Sequence, residues 1–159
     1  MTAFAAPRRL LETDALQGFC CGVDVVDSWV HDLALRSARR KTAVVYVSLA
    51  DDRVAGLYSL SSHSVLRDDV RGGWFARNSP RQIPTILLGM LGVDRDYQGM
   101  GLGAPLLADA IERSVVVSES VGAKALMVDP ANGEAEVFCR RYGFRVVPGA
   151  GRLFLPLAP

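Results

Sequence analysis

The sequence Gln98-Gly99-Met100-Gly101-Leu102-Gly103 separates a short apolar stretch from a long amphipathic one. The preceding stretch, Ile86–Val93, is apolar and punctuated by glycine, which predicts a buried strand. The following stretch repeats apolar residues every three or four positions, which predicts a helix packed on a sheet. These residues are Leu102, Leu106, Leu107, Ala110, Ile111 and Val115. Because glycine has no Cβ, the loop between them can turn tightly and approach an anion at the helix N-terminus.

The glycine loop is suited to a pyrophosphate, although the same glycines are compatible with a tight connection that binds nothing. It is not a P-loop, because no Lys-Ser or Lys-Thr pair follows Gly103. Its three glycines alternate with single residues, which is too compact for the dinucleotide-binding fingerprint. The spacing therefore excludes the two common nucleotide-binding loops.

Length and composition predict one folded domain spanning residues 1–159. Hydrophobic residues make up 50% of the chain, which is typical of a globular protein and not of a disordered tail. The net charge of +1 gives no overall nucleic-acid footprint, so RNA binding would have to rest on a local basic patch.

Cysteine usage and hydropathy predict a soluble, cytoplasmic protein. Cys20, Cys21 and Cys139 are odd in number and two are adjacent, which favours reduced thiols. No apolar stretch approaches the roughly 20 residues of a membrane span, and no signal-peptide pattern begins the chain. We expect neither membrane association nor a metal site.

The remaining patterns predict a mixed sheet with helices on both faces. Asp24 or Asp27 is expected to cap a helix that ends in a basic cluster at Lys41. Thr42–Leu49 and Val54–Val65 are expected to form an antiparallel hairpin. The polar stretch Leu66–Pro84 is interpreted as a loop, whose arginines either face a phosphate or only keep the loop solvated.

The glycine loop resembles the Gln/Arg-x-x-Gly-x-Gly/Ala signature of the GCN5-related N-acetyltransferases (GNAT), through Gln98, Gly101 and Gly103. The resemblance implies an α/β fold with a mixed, mostly antiparallel sheet that splays at the cofactor strand. It also implies that the loop amides bind the pyrophosphate of acetyl-coenzyme A and that the splayed strand pairs with the pantetheine arm. The implied cofactor-binding residues are Leu91, Gly92, Val93, Gln98, Gly99, Met100, Gly101, Leu102, Gly103, Ala104, Asn132 and Phe138.

Longer stretches resemble the acetyltransferase toxins of bacterial type II toxin–antitoxin modules, over almost the whole chain. They are Gly18-Phe19-x-Cys21-Gly22, Val26-Asp27-x-Trp29-Val30, Ile83-Pro84-x-x-x-Leu88-Gly89, Val93-Asp94-Arg95-x-Tyr97-Gln98-Gly99 and Phe138-x-Arg140-Arg141-Tyr142-Gly143-Phe144. This resemblance implies acetylation of the α-amine of an aminoacyl-tRNA, which blocks translation. It further implies a homodimer silenced by an antitoxin with a ribbon-helix-helix DNA-binding part, the toxin chain itself not contacting DNA.

The chemistry implied by the resemblance is compatible with the residues present. An α-amine has a reference pKa of about 8, so much of it is already neutral and no strong base is needed. A backbone N–H near Leu91-Gly92-Val93 is expected to contact the thioester oxygen as its charge develops. Asn132 is expected to reach the pantetheine arm, although its position in a turn also has a purely structural explanation.

Two positions depart from the family pattern. Cys139 stands where the family places the tyrosine that protonates the coenzyme thiolate, and Tyr142 is either a substitute donor or a core residue. Met90 stands where these toxins usually carry arginine, which leaves Arg77, Arg81, Arg140 and Arg141 as the candidate RNA contacts. Two alternatives therefore stay open: a small-molecule or protein N-acetyltransferase, and a catalytically weakened cofactor-binding partner of an antitoxin.

Overall fold

A computed structural model describes residues 2–158 of the chain. The strands are β1 (Arg8–Arg9), β2 (Val44–Ala50), β3 (Arg53–Leu66), β4 (Gln82–Val93), β5 (Ala125–Val128), β6 (Arg145–Val146) and β7 (Leu153–Pro156). The helices are α1 (Asp24–Asp32), α2 (Ala34–Arg40), α3 (Gly73–Ala76), α4 (Gly103–Ser120) and α5 (Gly133–Arg141). None of the helices between residues 2 and 158 has the length and apolar character that crossing a membrane requires.

Within residues 2–158, seven strands form a mixed sheet in the order β1-β2-β3-β4-β5-β7-β6. The pairs β1–β2, β2–β3, β5–β7 and β6–β7 are antiparallel, whereas β4 and β5 are parallel. The predicted mixed, mostly antiparallel sheet and the predicted β2–β3 hairpin are thus confirmed.

Contacts divide the chain into two compact units. The first comprises the chain up to Ser61 together with Gly89–Ala110, and the second comprises Ser62–Leu88 and the chain from Ile111 onward. The prediction of a single domain spanning residues 1–159 stays a prediction.

In the first unit, the beginning of α4 packs directly against β3. A Cβ on Gly56 would lie 2.7 Å from Leu106 Cδ1 and 2.9 Å from Leu102 Cδ2, so any other residue would force these leucine side chains to shift. The Tyr58 hydroxyl donates a hydrogen bond to the Asp109 carboxylate, which joins the same strand and helix. One hydrophobic core cluster of this unit comprises Leu16, Phe19, Cys21, Val26, Val30, Ala34, Val45, Val47, Val54 and Leu57.

In the second unit, β5 is buried between two partners. Its four residues pair in parallel with Thr85–Leu88 of β4 and antiparallel with β7. All four β5 residues are buried, as expected for a short apolar strand between two neighbours. One hydrophobic core cluster of this unit comprises Val65, Val70, Phe75, Ile83, Ala125, Met127, Val147 and Phe154.

The stretch Leu66–Pro84 is more ordered than the predicted loop. It contains a 3-10 turn at Arg67–Asp69 and helix α3, and β4 begins within it at Gln82. The cause is tertiary: Val70 and Phe75 supply buried apolar side chains to the core of the second unit.

Lys124 fixes the same segment from outside its sequence. Its Nζ atom donates to the carbonyl oxygens of Trp74 at 2.9 Å and Arg77 at 2.8 Å, and to Ser79 Oγ at 2.7 Å. The ammonium group also lies 4.6 Å from the centre of the Trp74 ring, a cation–π distance. These contacts satisfy carbonyls at the end of α3, and local sequence patterns give no sign of them.

Two further predictions about helices are wrong. Val23, not an aspartate, occupies the N-cap of α1, and the Asp27 carboxylate instead accepts from the amides of Cys21 and Gly22. Val115 is 38% exposed, whereas Ser114 is fully buried, so the apolar face of α4 does not extend to the predicted position.

Candidate active site

The glycine loop of the first unit joins β4 to α4 as predicted. Gly99 and Gly101 have φ angles of +78° and +81°, a left-handed conformation that L side chains rarely adopt. A Cβ built on either residue would meet no atom within 4 Å, so the loop backbone faces open space. A ligand can therefore approach the main chain closely at both positions.

The N-terminus of α4 offers backbone donors directly after this loop. At the start of α4, Leu106 N donates to Leu102 O at 3.2 Å. The amides of Gly103 and Ala104 precede that bond, and Pro105 has no N–H to compete with them. Since α4 is 18 residues long, its dipole adds to the attraction of these amides for an anion.

The side chains of the glycine loop differ in exposure, and this distinguishes residues that can face a ligand from residues that pack inside the protein. Met100 is 51% exposed, whereas the Leu102 side chain is buried beneath α4. Leu102 is thus a packing anchor that can offer a ligand only its backbone. Gln98 directs its side-chain amide into the protein, where it donates to the carbonyl oxygens of Cys21 and Val93.

The end of β4 extends beyond its partner β5. The last pair in their register is Leu88 with Val128, and Gly89–Val93 continue past it. Gly92 is buried, whereas Leu91 and Val93 are partly buried. This termination of the parallel pairing is what the predicted splay of the cofactor strand requires.

In the second unit, Asn132 caps helix α5. Its Oδ1 atom accepts from the backbone amide of Ala135 at 2.9 Å, the geometry of an N-cap. Of the two explanations for this residue, the structural one is confirmed. Contact with the pantetheine arm stays a prediction for its amide nitrogen.

Cys139, within α5, is buried, whereas Tyr142, the C-cap residue of α5, is exposed. Cys139 is 5% exposed, and burial raises the pKa of its thiol, so it holds its proton at neutral pH. Tyr142 is 42% exposed, and its ring meets the edge of Phe138 with the centroids 5.1 Å apart. The interpretation of Tyr142 as a core residue is therefore wrong, because the helix ends there and leaves the ring at the surface.

The four candidate RNA contacts, Arg77, Arg81, Arg140 and Arg141, are all exposed and lie in the second unit. Arg141 and Phe138 also line a shallow depression on α5, together with Gly133, Glu134 and Val137. The predicted site residues therefore fall into two groups: the loop and strand positions from Leu91 to Ala104 in the first unit, and Asn132, Phe138, Cys139, Tyr142 and the arginines in the second. Cys20, Cys21 and Cys139 are free thiols, as predicted.

Asp94 is a buried carboxylate beside the glycine loop that the sequence patterns do not single out. It follows β4 directly and is only 3% exposed, and its carboxylate accepts from the backbone amides of Cys20 and Asp96. The available signal was an acidic residue immediately after a buried strand and before the glycine loop.

Comparison with known proteins places the chain among acetyltransferase toxins. No protein-family model matches the sequence. A tRNA-acetylating toxin of Mycobacterium tuberculosis is 37% identical over 148 residues, which cover 93% of this chain and 89% of the relative. Among solved structures, the toxin AtaT complexed with acetyl-methionyl-tRNAfMet has a TM-score of 0.84 at 28% identity, covering 97% of this chain and 95% of that one. A mutant of AtaT bound to acetyl-CoA and the C-terminus of the antitoxin AtaR has a TM-score of 0.78 at 27% identity, covering 97% of this chain and 93% of that one.

Proposed function

The chain belongs to the GNAT-type toxins of toxin–antitoxin modules, and on that premise we propose that it acetylates the α-amine of an aminoacyl-tRNA. Acetyl-coenzyme A is the acetyl donor, and the modified aminoacyl-tRNA can no longer support normal translation. The relative from M. tuberculosis is named for acetylation of tRNA, and AtaT has been solved with an acetylated aminoacyl-tRNA.

The observation that carries this proposal is the open cradle between β4 and α4. Left-handed Gly99 and Gly101 bring the main chain to the surface, and the Gly103 and Ala104 amides point from a helix N-terminus. Such a cradle suits the pyrophosphate of acetyl-coenzyme A, because backbone donors and the helix dipole both favour an anion. Leu91, Gly92 and Val93 are proposed to pair with the pantetheine arm, and Asn132 and Phe138 to complete the cofactor contacts.

The reaction needs no strongly basic side chain, because much of the α-amine is already neutral. The neutral α-amine nitrogen attacks the thioester carbonyl carbon, a C–N bond forms, and the C–S bond breaks. The amine loses its proton to water and the departing thiolate takes one up. A backbone N–H in the Leu91–Val93 stretch is proposed to stabilise the oxygen of the tetrahedral intermediate, a contact that typically contributes several kcal/mol.

Cys139 is the proposed proton donor to the thiolate, and Tyr142 is the substitute. The raised pKa of Cys139 keeps the thiol protonated at neutral pH, as a donor must be, but makes it a weaker acid than a free cysteine. This property favours a second candidate function, a toxin that binds the cofactor and its antitoxin but turns over slowly. A small-molecule or protein N-acetyltransferase is the remaining alternative and predicts transfer to free amines without tRNA.

The proposed partners follow from the same family. The exposed arginines Arg77, Arg81, Arg140 and Arg141 are proposed to contact tRNA phosphates, for which the guanidinium fork is well suited. We also propose a cytoplasmic homodimer neutralised by an antitoxin whose ribbon-helix-helix part, and not this chain, contacts DNA. AtaT has been solved with the C-terminus of its antitoxin, which supports an antitoxin partner here.

Cell-free translation tests the proposed function. In an extract freed of small molecules, we expect translation to stop only when the protein and acetyl-CoA are both added. Freshly charged tRNA, supplied after the protein is removed, should restore synthesis. Undiminished translation with both present would contradict the proposal, and inhibition without acetyl-CoA would indicate another mechanism.

A further inference from the structure

The turn Cys20–Gly22 is hydrogen-bonded to the segment Asp94–Gln98 that leads into the glycine loop. Asp94 supplies the first links: Oδ2 accepts from the amide of Cys20 at 3.0 Å, and Oδ1 accepts from the amide of Asp96 at 3.0 Å. The backbone adds a link, since Arg95 N donates to Cys20 O at 2.8 Å. We call Asp94, Gln98 and the turn Cys20–Gly22 the brace.

Gln98 closes the brace from the other end. Its Nε2 atom donates to Cys21 O at 2.7 Å and to Val93 O at 2.9 Å. A primary amide nitrogen carries two hydrogens, so both donors are used within the protein. Although Gln98 is exposed as a whole, its amide nitrogen is therefore directed away from any ligand.

The turn is itself fixed to helix α1. Asp27, in the first turn of α1, accepts from the amides of Cys21 at 2.8 Å and Gly22 at 3.1 Å. Arg53 approaches from β3, with Nη2 3.0 Å from Asp96 Oδ2 and 3.6 Å from Asp94 Oδ1. The start of the glycine loop is thus connected to a helix and a strand of the first unit.

We propose that Asp94 and Gln98 are positioning residues, which hold the glycine loop in its cofactor-binding conformation by connecting it to the turn Cys20–Gly22. This inference rests on the proposed function, because it assigns a role to residues beside the proposed acetyl-CoA cradle. A loop that is already ordered loses little conformational entropy when a ligand binds, so the brace raises affinity without touching the ligand. Gln98, which the family signature includes among the cofactor-binding residues, acts here through its contacts with protein carbonyls.

The test measures the affinity for coenzyme A by calorimetry, which needs no turnover. The key variants are Gln98→Met, which removes the amide at nearly constant length, and Gln98→Glu, which places carboxylate oxygens against the two carbonyls. Asp94→Asn is the third, because an amide has a single acceptor oxygen and cannot accept from the amides of both Cys20 and Asp96. Gln17→Met and Asp52→Asn are matched controls at exposed positions outside the brace.

We expect the Gln98 variants to raise the Kd for coenzyme A by about tenfold, as the loss of two hydrogen bonds implies. The controls should leave this Kd unchanged. In acetyl transfer, the Gln98 variants should raise KM for acetyl-CoA while kcat and KM for aminoacyl-tRNA change much less. A general loss of folding would instead lower kcat and impair both substrates together.

Three outcomes of the calorimetry distinguish a failure of the positioning role from a failure of the proposed function. Tighter binding by wild type than by the brace variants, with unchanged controls, supports the positioning role. Equal Kd values for wild type and all brace variants would overturn it and leave the proposed function intact. Failure of the wild type to bind coenzyme A at all would overturn the proposed function, and the inference with it.

Discussion

The backbone conformation of Gly101 is central to the proposed binding of the acetyl-CoA pyrophosphate. Its φ angle of +81° and the open space at its Cβ position allow the main chain to approach a pyrophosphate. An acidic side chain at this position would strain the backbone, because φ is positive, and would also repel a bound pyrophosphate. The two costs can be separated, because Gly151 also has positive φ and open space but lies outside the cradle.

Gly101→Glu should raise the Kd for coenzyme A by at least about tenfold, because its carboxylate would repel the pyrophosphate. It should also lower the free energy of unfolding by roughly 1 kcal/mol, the usual cost of a side chain at positive φ. Gly151→Glu should lose similar stability but keep the affinity. Calorimetry and thermal melts measure both quantities, and an unchanged Kd in Gly101→Glu would remove the loop from the cofactor site.

Cys139 gives the reaction a characteristic pH dependence if it donates the proton. Burial raises the pKa of this thiol, so the protonated form persists to higher pH than in a free cysteine. The α-amine must lose its proton, which happens near a pH of about 8. Between neutral pH and that value the neutral amine fraction therefore rises while the Cys139 thiol stays protonated.

We expect kcat/KM to rise with pH up to about 8 and not to fall before about 9, where a free thiol would already ionise. Cys139→Ala should lower kcat by about a hundredfold, the usual contribution of a general acid. Val116→Ala, at a position 61% exposed on α4, is the control. Activity that declines between pH 7 and 8, or an active Cys139→Ala variant, would exclude Cys139 as the donor.

At the scale of elements, α5 depends on its N-cap. Asn132 accepts from the Ala135 amide and so satisfies one of the free donors at the helix start. The same residue is a proposed cofactor contact through its amide nitrogen. Variants that keep the cap but remove this nitrogen can distinguish the two roles.

Asn132→Ala should lower the free energy of unfolding by about 1 kcal/mol, the typical cost of losing a cap. Asn132→Asp should keep the stability, since aspartate caps equally well, but should weaken coenzyme A binding if the amide nitrogen contacts the cofactor. Denaturant titrations and calorimetry give both values. Equal affinity in wild type and Asn132→Asp would show that Asn132 acts only as a cap.

Sequence patterns predict those elements that are determined by residues close together in the chain. The strand, glycine loop and helix from Ile86 to the start of α4 follow from apolar spacing and glycine placement, and all three are present. The order within Leu66–Pro84 is not predictable from local patterns, because α3 is stabilised by Lys124, which lies far along the chain. Asp94 and the inward-facing amide of Gln98 were missed for the same reason: their partners at Cys20 and Cys21 are more than 70 residues away.

At the scale of the whole molecule, charge sets limits on how tRNA is bound. A net charge of +1 provides no broad attraction for a polyanion, so affinity has to come from a few placed arginines. Arg77, Arg81, Arg140 and Arg141 are exposed and are the proposed contacts. The weak overall charge also agrees with a substrate held mainly through its aminoacyl end and a few phosphates.

Transfer of a labelled acetyl group from acetyl-CoA to total charged tRNA tests the central claim most directly. The wild type, a Cys139→Tyr variant and Gly101→Glu would be compared, with deacylated tRNA as the acceptor control. We predict label on the amino acid of charged tRNA only, recovered as N-acetyl amino acid after ester hydrolysis, with Cys139→Tyr at least as active as wild type and Gly101→Glu strongly impaired. Label on neither form of tRNA with wild type or Cys139→Tyr, while free amines are acetylated, would contradict the account.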